Sequence, residues 1–185
     1  IVDKHQAPAI KYHQTLGVSS SPIPVDANLI WVDEYYQILT FIENSNLIEI
    51  HPDLSEIAQL LFTLGYRCGL RRMEALKLRI IDFQNGQKSH LIIRPHHERR
   101  LKTKNSQRLI PLYALLTEDE LSRLERWKTK RVEQETNSSK SEYLFAIPSK
   151  NFDSVPQELV FPIIHTAMRT VTGDENLRYH HLRHS

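Results

Sequence analysis

The chain has 185 residues, 40% hydrophobic and 25% charged, which describes a soluble globular protein with length for one sizeable core. Lysine and arginine number 24 against 22 acidic residues, so a net charge of +2 does not by itself announce a nucleic-acid binder, and only the placement of charge can do so. No apolar run approaches a membrane span, no leader pattern stands at the N-terminus, and the single cysteine, Cys68, excludes an internal disulfide framework and fits a cytoplasmic location.

Residues 1–30 read as the tail of a preceding region and a linker: Ser19 to Ser21, then Pro22, Ile23 and Pro24, break regular structure, and Ile1 in place of a start methionine points to an upstream segment. The first helix is expected from Val32 to Glu43 and the next from Asp53. There Asp53 and Glu56 have capping-box spacing, and Leu54, Ile57, Leu60, Leu61 and Leu64 form an apolar stripe. A short helix over Arg71–Leu78 should follow Gly69, with Leu70, Met73 and Leu76 inward. Leu91–Ile93 and Arg108–Leu112 read as strands of a hairpin or a small three-stranded sheet. Thr117 and Glu120 repeat the capping-box spacing before a charged helix to about Glu135, a polar loop follows over Gln134–Ser141, and Glu142–Ala146 reads as a strand. A last helix should run from Pro156 to Val171, with Leu159, Ile163 and Ala167, together with Val160 and Ile164, inward and Gly173 as its stop. The fold class is therefore mainly α (α+β) with a small antiparallel sheet.

Chemistry-bearing residues gather in three places. In Gly69-Leu70-Arg71-Arg72-Met73-Glu74-Ala75-Leu76, Arg71 and Glu74 stand three apart, so a carboxylate can steady a guanidinium fork aimed at a phosphate; a solvated surface ion pair has the same spacing. The run Arg94, Arg99, Arg100, Lys102, Lys104 and Arg108, with His96 and His97, makes the hairpin basic, which suits a DNA backbone but also suits lysines blunting a sheet edge. In Tyr179-His180-His181-Leu182-Arg183-His184-Ser185, two histidines one helical turn apart would fit zinc, while a histidine and an arginine three apart would fit one phosphate. No P-loop, dinucleotide glycine pattern or acidic two-metal cluster stands out.

Taken together and in order, these segments resemble the first arginine box, the lysine-bearing β-hairpin (Lys102 to Leu112) and the His-x-Leu-Arg-His box of tyrosine recombinases of the phage-integrase type. The resemblance covers about Val32 to Ser185. It implies a catalytic domain over 31–185 that breaks and rejoins double-stranded DNA through a 3′-phosphotyrosyl link, with no cofactor and no metal, acting as a tetramer on DNA in the complete protein. Arg71 and Arg183 would clamp the non-bridging oxygens, Lys102 would protonate the leaving 5′-oxygen with Lys104 as its close competitor, and His180 would assist proton transfer. Glu74 and His184 would support them, and Arg72, Arg99, Arg100, Lys104 and Arg108 would contact DNA.

Two departures stand out. The family's nucleophilic tyrosine follows the second box, and none of Tyr12, Tyr35, Tyr36, Tyr66, Tyr113, Tyr143 and Tyr179 does. The chain is therefore expected to be C-terminally incomplete and inactive in cleavage. His181 stands where relatives often carry an acidic residue. The competing readings are a non-catalytic DNA-binding relative of the same fold and a histidine-based metal protein.

Overall fold

The computed structural model describes residues 29–97, 107–137, 141–147, 150 and 152–184. Helix α1 spans Val32–Glu43, α2 Leu47–Ile50, α3 Pro52–Cys68 and α4 Arg72–Leu76. After a 3-10 turn at Ile80–Asp82 come strands β1 (Phe83–Gln84), β2 (His90–Ile93) and β3 (Arg108–Pro111). Helices α5 (Leu112–Leu115), α6 (Glu118–Asn137) and α7 (Gln157–Thr172) follow, and a 3-10 turn at Tyr179–His184 ends the described chain.

Helix α3 is the centre. Leu54, Ile57, Ala58, Leu60, Leu61, Phe62 and Leu64 are all buried, so its apolar surface extends beyond the expected stripe. α1, α7 and the C-terminal turn pack around it. The sheet is antiparallel in the order β1-β2-β3, with Phe83 opposite Leu91, Leu91 opposite Ile110 and Ile93 opposite Arg108. Leu91, Ile93 and Ile110 point to the core while Leu109 is exposed, the alternation that one covered face requires.

Several local expectations are corrected. The start of α3 is capped by His51, whose Nδ1 accepts the Asp53 amide at 3.1 Å, and the Asp53 carboxylate instead takes Lys130 Nζ at 2.6 Å. Pro52 at the first helical position sets that boundary ahead of a box built on Asp53, with the cap at His51. Thr117 and Glu120 do form the reciprocal box, at 2.9 and 3.3 Å. Helix α6 continues through Asn137, into the stretch read as loop. Residues 142–146 form no strand; Tyr143 makes a single bridge with Arg79, and α6 takes the carbonyls there, Trp127 Nε1 donating to Leu144 O at 2.9 Å. In α7 the buried side chains are Val160, Phe161, Ile164, Ala167 and Met168, whereas Leu159 and Ile163 are half-buried, a rotation of about one residue that brings Phe161 against Tyr179. Met73 is exposed rather than buried, because Glu74 takes the inward position of the short α4.

Candidate functional site

Gly69 ends α3 in the left-handed region (φ 60°), which a glycine adopts without strain, and its amide returns to Gly65 O at 3.1 Å. The reversal delivers Arg71 to the start of α4. Glu74, three residues on, accepts the Arg71 backbone N–H at 3.0 Å and Arg71 Nη1 at 3.1 Å. The same carboxylate accepts Arg108 Nη2 at 2.8 Å and Nη1 at 3.3 Å, so the first residue of β3 is tied to the first arginine box. Burial pushes the Glu74 carboxyl up, but the bonds and charges of Arg108 and Arg71 outweigh it and hold the group below the usual carboxylate range. Glu74 is thus an anion that orients two guanidinium groups.

The C-terminal turn meets α3 from the other side. In 3-10 geometry side chains three apart eclipse, so Tyr179 and Leu182 go inward together while His180 and Arg183 stay exposed together. The Tyr179 hydroxyl donates to Leu61 O at 2.6 Å, and burial pushes that phenol far above its ordinary range. A β-carbon at Gly65 would lie 2.6 Å from Leu182 Cδ1 and 2.8 Å from the Tyr179 ring, so only glycine permits this contact. Arg183 Cα lies 4.0 Å from where a β-carbon on Gly69 would stand. One helix and its glycine cap therefore carry both arginine segments.

A cleft of about 890 Å³ opens between them. Arg71, Arg72 and Met73 form one wall; Arg178, Tyr179, His180 and Arg183 form the other; His165 of α7 contributes from a third side. Arg72 lies 5.6 Å from the centre of the Phe161 ring, and Arg178 donates to the carbonyls of Glu175 and Leu177 at 3.0 and 3.2 Å. Among the described residues no carboxylate pairs with Arg72, Arg178 or Arg183. Four guanidinium groups beside the single carboxylate of Glu74 favour an anion with several oxygens.

Arg71, His180 and Arg183, all singled out from the sequence, thus share one cleft, with Arg72 beside them and Glu74 beneath. Arg108, expected among the DNA contacts, instead directs its guanidinium to Glu74. Arg94 of the basic run pairs with buried Asp82 at 2.9 Å, and His96 Nε2 bonds Lys77 O at 3.0 Å. Arg99, Arg100, Lys102 and Lys104 lie outside the described residues, and of His184 only the backbone is described. Tyr179 is the only described tyrosine lining the cleft, and its hydroxyl is bonded to the core. Sequence reasoning missed Arg178 and His165. Arg178 directly precedes the second box by two residues and was open to notice; His165 sits in an amphipathic helix with no motif around it.

Residues 30–185 match the phage integrase family. The chain belongs to that family. A crystal structure of XerH site-specific recombinase bound to difH substrate, a pre-cleavage complex, aligns with a TM-score of 0.54 and 21% identity over 83% of this chain and 40% of that one. The post-cleavage complex of XerH with a palindromic difH substrate aligns with 0.59 and 22% over 89% and 42%. The chain therefore spans about two fifths of the length of those recombinases, and the likeness is one of fold. The helical body with its three-stranded antiparallel sheet is the tyrosine recombinase catalytic fold. No curated protein matches. No helix among the described residues is long and apolar enough to cross a membrane, and no group of three or more potential metal ligands comes together among them.

Proposed function

We propose that this chain is the catalytic domain of a site-specific recombinase or integrase that binds double-stranded DNA and holds its scissile phosphate in the arginine cleft. The observation that carries the reading is the meeting of Arg71 and Arg183, 112 residues apart in sequence, with His180 in one cleft. The two guanidinium forks bind the non-bridging oxygens and stabilise the charge that gathers there as the fifth oxygen approaches phosphorus. His180 assists proton transfer, and Glu74, which fixes Arg71, is a positioning residue. The attacking tyrosine hydroxyl lies outside this chain. It forms the phosphotyrosyl bond as the P–O5′ bond breaks, and Lys102 gives the leaving 5′-oxygen its proton. The chain alone is then inactive in cleavage, and the complete protein acts as a tetramer on DNA.

The test uses the full-length protein and a duplex whose bridging 5′-oxygen is replaced by sulfur. Sulfur leaves without needing a proton, so the loss of cleavage in Lys102→Ala is restored on this substrate while the loss in Arg71→Ala is not. Normal cleavage by Lys102→Ala with a sulfur-restored loss in Lys104→Ala would move the acid to Lys104. Full activity of Arg71→Ala and Arg183→Ala would remove the cleft from the mechanism.

A further inference from the structure

His165 has no task in that reading, yet it lines the cleft. Its Nε2 is shielded from water and has no hydrogen-bond partner among the described residues. Nδ1 makes no bond to them either, and it is not among the shielded atoms. The charged and titratable groups around the ring come from three elements: Arg71 and Arg72 at α4, Arg169 on α7, and Arg178, His180 and Arg183 on the C-terminal segment. Burial, and then the charges of Arg169, Arg178, Arg72 and His180, push the imidazole down to about 4, so the ring is neutral near pH 7 in the DNA-free protein.

A neutral imidazole has one proton and one lone pair. A sealed nitrogen among cations is better placed to keep the lone pair, since an N–H there would point at positive charge with no acceptor. The proton therefore belongs on Nδ1, on the side that keeps solvent contact. The cleft then contains a neutral donor with no acceptor among the described residues.

We propose that His165 is a further DNA ligand of this site, a neutral Nδ1–H donor to the phosphodiester that Arg71 and Arg183 hold. The proposal rests on the reading of the cleft as the phosphate site. Neutrality gives the ring a distinct use: it adds a directional bond to the anion without adding another positive charge to a group of arginines that already repel one another.

The full-length protein is tested with a DNA duplex of arbitrary sequence. His165→Leu, close in bulk but without a donor, binds about tenfold more weakly, the equivalent of one hydrogen bond. Its unfolding midpoint in urea holds or rises, because an unbonded buried nitrogen has been removed; a merely structural histidine would lose stability instead. In His165→Asn the side-chain amide stands near the position of Nδ1, and affinity stays within about threefold of the unsubstituted protein. Nitrogen-15 spectra of the unsubstituted protein show the imidazole proton on Nδ1, and its resonance moves when duplex is added. A proton found on Nε2, an Nδ1 resonance unmoved by DNA, or a His165→Leu variant that binds normally overturns the proposal. Should His165→Leu not fold, the spectra decide alone. If Arg71→Ala and Arg183→Ala lose affinity while His165→Leu does not, only His165 is excluded; if those arginine variants also bind normally, the phosphate reading of the cleft fails with it.

Discussion

Arginine serves opposite purposes on the two sides of α4. Toward the sheet and the core, guanidinium groups are closed onto buried or half-buried carboxylates. Arg79 and Arg94 hold Asp82 at 3.3 and 2.9 Å, Arg67 holds Glu120 at 3.0 Å, and Arg108 holds Glu74 at 2.8 Å. Each of these carboxylates also accepts the backbone N–H three residues before it, from Arg79, Thr117 and Arg71 respectively. A local capping device has been extended into a long-range fastener. Toward the cleft, Arg72, Arg178 and Arg183 meet no described carboxylate, and only Arg71 stands in both regions. Counting basic residues therefore does not locate an anion site. What distinguishes the cleft is that, among the described residues, Arg72, Arg178 and Arg183 have no acidic partner, and Glu74 aims Arg71 rather than neutralising the set.

The two regions should therefore fail differently. In the full-length protein Arg183→Ala should lower DNA cleavage by about 10²–10³-fold, the usual loss when a transition-state donor is removed, with an almost unchanged urea midpoint. Asp82→Ala removes the fully buried carboxylate that Arg79 and Arg94 share and should cost about 3 kcal/mol of folding stability. Its DNA affinity, measured well below the unfolding midpoint, should keep the same salt dependence. Similar destabilisation in the two variants would erase the distinction between the regions.

The sequence was most legible where a residue's role is local. The boundaries of α1, the stop at Gly173 and the Thr117–Glu120 box depend on neighbours three or four positions away, and they agree with the structure. Arg71, His180 and Arg183 were legible only as an ordered set of motifs, because their convergence depends on how α3 seats the C-terminal turn. Partners remote in sequence were hidden. Nothing near Arg108 indicates that Glu74 will occupy its guanidinium, and nothing near Arg94 indicates Asp82. The same limit concealed His165, whose surroundings come from α4, α7 and the C-terminal segment. Residues 142–146 misled for a related reason: an apolar, extended stretch resembles a strand, but its carbonyls are taken by α6 and by a single bridge.

Acid should also separate the two regions. His165 has a folded pKa below that of the unfolded chain, as do Glu74, Asp82 and Glu120. For all four, stability is fully present above the unfolded value and is lost as pH falls through the folded one. The windows differ, because a free histidine takes its proton near pH 6.5 and free carboxylates near pH 4. The urea midpoint should begin to fall below about pH 6.5, from the cleft, and fall more steeply below about pH 4.5, from the fastened carboxylates. His165→Asn should remove the first decline and keep the second. A midpoint flat from pH 7 to 5 in the unsubstituted protein would show that His165 is not held neutral by its surroundings.

The smallest expected effect concerns Arg72. Its guanidinium lies 5.6 Å from the centre of the Phe161 ring, at the rim of the cleft, without a described carboxylate partner. A cation–π contact made by a solvent-exposed guanidinium is worth about 0.5–1 kcal/mol, so Arg72→Ala should leave the fold almost as stable as before. If the side chain neutralises one DNA phosphate, its removal should release one fewer counterion on binding. The slope of log affinity against log salt concentration should then become shallower by about 1, whatever the sequence of the duplex. At low salt the variant should bind several-fold more weakly; at high salt the two proteins should converge, since the missing contact is the one that salt already screens. Arg108→Ala provides the contrast. Its charge is already balanced by Glu74, so it should lose stability and leave the slope unchanged. An unchanged slope in Arg72→Ala, or a shallower one in Arg108→Ala, would place the boundary between fastened and DNA-facing arginines elsewhere than along α4.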